Sequence, residues 1–176
     1  MRRILALVLF VLFAMAPELF AQQSAPTPSS IKSACPPSTT LEELTKALDD
    51  AVSGPAGKDR TCLRALLLPE ARLTPIRKAD DGSFAPAILT LDDWINAVAV
   101  RGGEFYERQV KVQSETYGHF AHLWSTYVIR PTPDGKSTVT GINSVQAVYD
   151  GTRWRVLSVL WEPDTTAGPV PEKYLP

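Results

Sequence analysis

The chain has 176 residues and a mass of 19.3 kDa, room for one domain and short for two. Hydrophobic residues make up 44% and charged residues 21%, which excludes disorder throughout and a fibrous repeat. Lys plus Arg number 18 against 19 Asp plus Glu, and a net charge of −1 argues against nucleic acid as a partner.

The N-terminus reads as an address. Met1-Arg2-Arg3 is a short basic start, and residues 4–16 form an unbroken apolar run. That run is too short for a membrane-spanning helix, which needs about 20 residues, and it fits the apolar region of a secretory signal. Pro17 blocks cleavage after Ala16, so cleavage is expected after Ala21, giving a signal peptide over residues 1–21. The protein is then exported, periplasmic or extracellular, with no membrane contact after signal removal. Residues 22–37 are rich in Pro, Ser and Ala and read as a flexible arm. Residues 163–176 carry four prolines and read as a tail, leaving a folded domain over residues 38–162.

Cys35 and Cys62 are the only cysteines. In an oxidising compartment such a pair is expected to be bridged, tying the arm to the helical layer. No metal site is expected, because the two histidines lack ligand spacing to the cysteines.

Thr39-Thr40 followed by Glu42-Glu43 is an N-cap signal. Leu41, Leu44, Leu48 and Val52 form one apolar stripe on a helix ending near Ser53, where Gly54-Pro55 stops it. A second helix is expected over residues 58–67. Residues 71–76 and 84–89 alternate about Asp81-Gly82, a hairpin whose Pro75 and Pro86 place it at a sheet edge. Thr90-Leu91-Asp92-Asp93 caps a third helix, which Gly102-Gly103 ends. Four strands follow, over residues 105–117, 120–130, 138–149 and 152–162. Turns at Gly118-His119, Asp134-Gly135 and Asp150-Gly151 separate them. The order predicts an α+β fold: a curved, cone-shaped antiparallel sheet of four long strands plus an N-terminal hairpin, packed on three helices.

This order resembles the nuclear transport factor 2-like superfamily, as does the ending from Gly141-Ile142-Asn143-Ser144 through Asp150-Gly151-Thr152-Arg153-Trp154-Arg155-Val156 to Trp161. Within it the chain is most similar to the SnoaL-like branch. The resemblance covers residues 39–162 and implies a pocket between sheet and helices. It does not choose the chemistry, since the superfamily holds isomerases, dehydratases, cyclases, transport factors and proteins without known activity.

Two-residue turns set an expected register. They put Ala147, Val145, Asn143, Trp154, Val156, Ser158 and Leu160 on the inner face, with Phe120, His122, Trp124 and Thr126, and with Gln113 and Glu115. Candidate ligand-binding residues are therefore Trp124, Thr126, Asn143, Trp154 and Ser158. His122 opposite Glu115 is the candidate catalytic pair, because a carboxylate tunes an imidazole near neutral pH. Leu157, Val159 and Trp161 would form an apolar stripe on the convex face, the expected homodimer interface.

The chain lacks a nucleophile elbow, a phosphate-binding glycine loop and a metal motif, so no cofactor is expected. Three functions fit: a binding module holding a small, mostly apolar molecule; a cofactor-independent isomerase or dehydratase working through His122 and Glu115; or a dimeric interaction module with a vestigial pocket.

Overall fold

The computed structural model describes residues 35–176, and the expected signal peptide, its expected cleavage point and most of the expected arm lie outside the described residues. Helix α1, Leu41–Val52, begins at a capping box. Thr40 Oγ1 accepts from the Glu43 amide at 3.1 Å, and the Glu43 carboxylate accepts from the Thr40 amide at 3.3 Å. Its buried face is Leu44, Ala47, Leu48 and Ala51. The chain leaves α1 through Ser53 and Gly54, whose φ of 119° suits glycine. The two-residue strand β1, Gly54–Pro55, follows. Basic side chains cover the open carbonyls at this end of the helix. The buried Arg60 Nη1 donates to the carbonyls of Ala51 and Val52 at 2.9 and 2.8 Å. Helix α2, Thr61–Leu66, is shorter than the expected 58–67: it starts three residues later, where the Thr61 amide donates to Asp59 Oδ1 at 2.9 Å, and passes directly into strand β2, Leu67–Lys78.

Strand β3, Phe84–Pro86, pairs antiparallel with β2, and Gly82 takes a φ of 83° in the turn between them. Helix α3, Leu91–Arg101, starts at a second capping box, Thr90 with Asp93. The long strands are β4 (Glu104–Tyr117), β5 (Phe120–Arg130), β6 (Val139–Tyr149) and β7 (Trp154–Pro163). A short helix α4, Asp164–Ala167, ends the sequence of elements, with one 3-10 turn at Glu172–Tyr174.

The sheet runs β1-β4-β5-β6-β7-β2-β3 and does not close. It is mixed rather than wholly antiparallel: β2 lies parallel to β7, with Leu73 opposite Val159. Local patterns foresee the β2–β3 hairpin but not this pairing. It joins segments separated by α3 and four strands, and a parallel contact needs such a crossover. The core lies between the sheet and α1 and α2, built on Leu44, Leu48, Leu63, Leu66, Leu67, Leu123, Val145 and Val156. Each such side chain contributes about 2 kcal/mol by burial.

Three irregularities set which way the strand residues face. In β4, Gln109 pairs with Tyr127 while Lys111 pairs with Thr126, so Val110 is a bulge. The connection from β5 to β6 is a long loop and not a two-residue turn, since Ile129 pairs with Val139. In β7, Val156 pairs with Ala147 but Ser158 pairs with Gln146, leaving Leu157 as a second bulge. Each shifts pairing parity by one residue, and one residue exchanges the two faces of a strand.

The C-terminal segment is packed, where the sequence suggests a loose tail. Thr126 Oγ1 donates to the Tyr174 carbonyl at 2.5 Å, Lys111 Nζ donates to the Leu175 carbonyl at 2.6 Å, and the Tyr174 ring sits 5.8 Å from that of Trp124. These contacts lay the segment across the face of the sheet opposite α1 and α2.

Candidate functional site

A cavity of about 300 Å³ opens between the sheet and the helices. Its wall is mainly apolar, with Leu48, Leu63, Val145, Val159 and Trp161 among the lining side chains. Polar groups enter from β4, β5 and β6: Glu107, Gln109, Tyr127 and Asn143. The bulge at Val110 turns Glu107 and Gln109 inward, opposite Ile129 and Tyr127.

Asn143 Nδ2 donates to Glu107 Oε1 at 3.2 Å. Glu107 stays partly accessible because it borders the cavity. Burial, and then the charge of nearby Asp49, push its carboxyl up to about 7, against the lowering effect of Asn143. Asp49 is buried on α1 and accepts from the Gln109 amide at 3.1 Å and from Gln109 Nε2 at 3.2 Å. Burial raises its carboxyl to about 6, and the Gln109 bonds limit the rise. Ser125 Oγ completes the chain by donating to Gln109 Oε1. Burial, then the charge of Glu107, holds the Tyr127 hydroxyl protonated well above its ordinary range.

The polar end of the cavity is therefore a carboxyl that titrates near neutral pH, beside an amide and a phenol that remain donors. Such a group can donate to a ligand oxygen when protonated and accept from a ligand hydroxyl when ionised. Trp94 closes another part of the wall, with the Arg60 guanidinium 5.4 Å from its ring centre.

Tyr127 occupies its position because its strand partner is Gly141. A Cβ at 141 would lie 2.4 Å from the Tyr127 hydroxyl and 2.6 Å from the Glu162 carbonyl. Gly141→Ala is expected to displace Tyr127 and lower stability by about 2–3 kcal/mol, the cost of overpacking a filled site. Urea denaturation measures the stability loss. An unchanged midpoint would show that the ring can move aside freely.

The structure divides the residues expected to share the inner face. Asn143 lines the cavity. Trp154 packs on the core and lies 5.5 Å from the Tyr149 ring, away from the cavity lining. His122, Trp124, Thr126 and Ser158 occupy the opposite face, paired with Gln146, Ser144, Ile142 and again Gln146. The cause is parity: the long β5–β6 connection reverses β5 relative to β6, and the Leu157 bulge reverses the far half of β7. Glu115 and His122 are directly opposite, as the Gly118-His119 turn requires. Outside the cone, however, Glu115 is exposed and His122 Nε2 lies 3.0 Å from Ser144 Oγ, so a proton-transfer pair in the pocket is not formed.

The same bulge corrects the expected dimer stripe. Val159 and Trp161 line the cavity, opposite Val145 and Asn143, and Leu157 alone of the three is exposed, as the bulged residue. Glu107 and Tyr127 are not among the candidate site residues of the sequence analysis. The apolar Phe105 and Val110 around Glu107 were the available signal, but only the bulge position turns it into an inward carboxyl.

No family model matches the chain, and no curated protein matches it. Solved structures do. A protein of unknown function with a cystatin-like fold from Nostoc punctiforme aligns at TM-score 0.54 and 11% identity, over 70% of this chain and 88% of that one. A function-unknown protein from Mycobacterium tuberculosis aligns at 0.53 and 13%, over 70% and 69%. A protein assigned as the beta subunit of an aromatic-ring-hydroxylating dioxygenase from Novosphingobium aromaticivorans aligns at 0.52 and 15%, over 70% and 86%. These neighbours show the fold alone: a curved, open sheet wrapped on helices, cystatin-like as in the Nostoc punctiforme protein, and the nuclear transport factor 2-like cone that the sequence resemblance implies. At these identities the likeness is one of fold and carries no activity across.

Proposed function

We propose that the cone binds a small, largely apolar molecule through one polar group held by Glu107, Asn143 and Tyr127. The observation that carries this reading is a single carboxyl set in a mainly apolar cavity, with its donors on neighbouring strands and Arg101 of α3 also at the wall. Ligand sites are commonly built so, with apolar walls for affinity and a few polar groups for orientation.

A carbonyl-bearing fluorophore tests it. The apolar ketone 6-propionyl-2-dimethylaminonaphthalene should bind saturably with a blue-shifted emission, since its carbonyl accepts from protonated Glu107. As pH rises through about 7 that proton leaves, so affinity should fall severalfold between pH 6 and pH 8. Glu107→Gln keeps a donor at all pH values and should remove the dependence. Non-saturable emission, or the same pH response in the variant, would defeat the reading.

A second reading has its own observation. A carboxyl raised to about 7 beside a phenol donor suits proton transfer on a bound carbonyl compound, so the chain is also a candidate cofactor-independent isomerase or dehydratase. Glu107 then takes the role expected of His122, with Tyr127 and Asn143 as donors to the oxygen. Deuterium exchange at the carbon next to a ligand carbonyl, lost in Glu107→Gln, is the distinguishing measurement. An exported location accords with this picture through the disulfide described below.

A further inference from the structure

Arg101, the last residue of α3, lines the same cavity as Glu107 and stays exposed to solvent. Its guanidinium lies 5.8 Å from the ring centre of Phe105, another lining residue. Phe105 in turn meets Trp94 edge-on, with 6.3 Å between ring centres. An aromatic face attracts a planar guanidinium and limits the directions in which it can point.

The protein supplies no counter-charge for this group. Among the described residues no ion pair includes Arg101 or Arg60. Glu104, the acidic residue nearest to Arg101 in sequence, accepts instead from the Tyr106 hydroxyl at 2.8 Å. Arg60, beside Trp94, is engaged by the Ala51 and Val52 carbonyls, which are neutral. The Trp94–Phe105 end of the cavity therefore carries an excess of positive charge. An arginine in the last turn of a helix also favours the macrodipole. That role requires neither a place in the cavity wall nor contact with Phe105.

The spacing narrows the occupant. Phe105 and Glu107 are alternate residues of β4 and both line the cavity, about 7 Å apart along the strand. A molecule filling the cone can thus meet Glu107 with one group and Arg101 with another. The group at Arg101 has to be an anion, and the guanidinium fork matches a carboxylate through two parallel bonds. One guanidinium balances one negative charge, so a monoanion fits better than a phosphate dianion. Resting on the reading of the cone as a binding site, we propose that its ligand is an amphipathic monocarboxylic acid, whose carboxylate pairs with Arg101 and whose carbonyl or hydroxyl pairs with Glu107. The apolar body between these groups lies along the apolar wall.

The probe is trans-4-(6-dimethylamino-2-naphthoyl)cyclohexanecarboxylic acid, a relative of the ketone fluorophore above with a carboxylate across a ring from the ketone. Its methyl ester is the control. Both are titrated at pH 6 and low salt and followed by emission. The acid should bind at least about fivefold more tightly than the ester, and the preference should shrink as salt is raised. Arg101→Gln should abolish the preference while leaving ester affinity within about twofold, and Arg101→Lys should retain part of it. A purely structural role at the helix end would weaken acid and ester alike. Equal affinity of wild type for acid and ester overturns the proposal, as does a preference that persists in Arg101→Gln. Saturable ester binding that responds to Glu107→Gln, with no preference for the acid, overturns the carboxylate assignment and leaves the cone a binding site. Failure of acid, ester and simple ketone alike to saturate overturns the binding reading, and this proposal with it.

Discussion

Replacing Glu107 by Gln is expected to stabilise the protein at pH 8 by about 2–3 kcal/mol and by less than about 1 kcal/mol at pH 5. The carboxyl titrates near the ordinary 4.5 in the unfolded chain and at about 7 in the fold. Between those values the folded state holds the proton that the unfolded chain has lost, so stability falls as pH rises. Below the unfolded value both states are protonated and no cost exists; above about 7 the full cost of a buried charge is present. Asp49 acts in the same direction over a lower window, from 3.8 to about 6. Wild type should therefore lose stability between pH 5 and pH 8, and Glu107→Gln should remove the larger part of that loss. Urea midpoints at the two pH values measure it. A stability difference independent of pH would mean that Glu107 is not desolvated. A large part of the wild-type penalty is then the standing cost of keeping a carboxyl in the cone, which folding alone would not favour and which a role toward a ligand explains.

Removing the disulfide with Cys35→Ala and Cys62→Ala should cost about 3–4 kcal/mol by loop-closure entropy. Cys35 and Cys62 are bonded, with Cα atoms 5.1 Å apart and a sequence separation of 27. The contact it ties is also made without it: Ser38 Oγ donates to the Trp154 carbonyl at 3.0 Å, and the Trp154 amide donates to the Ser38 carbonyl at 2.7 Å. The native arrangement of residues 38–40 should therefore survive, and the loss should come mainly from the freer unfolded chain. A lowered urea midpoint, with thiol titration of denatured wild type finding no free thiol, is the expected result. A double variant within about 1 kcal/mol of wild type would show that the cross-link constrains little. The bridge is compatible with an oxidising, exported location.

Both expectations depend on features of different origin. The cysteine pair could be read from composition and its position before α1, because pairing two cysteines needs only proximity of two segments already joined by a short helical hairpin. Glu107 could not. It follows the alternation of an ordinary strand, and the bulge at Val110, three residues further on, decides that it points inward.

The capping boxes at Thr40 and Thr90, the stop at Gly54-Pro55, the turns at Asp81-Gly82 and Gly118-His119, and the α+β order are all local signals. Each rests on a hydrogen bond or a dihedral preference spanning a few residues, and each was legible from the residues themselves. Which face His122, Trp124, Val159 and Trp161 occupy was settled in three dimensions. A strand has two nearly equivalent faces, and a single extra residue in a bulge or loop exchanges them. That choice is made by the summed burial of every side chain on the sheet, which favours Val145, Val159 and Trp161 toward the helices. The parallel seating of β2 on β7 and the closure of the C-terminal segment over Trp124 are of the same kind. They join residues far apart in the chain, where no periodicity or spacing carries the information.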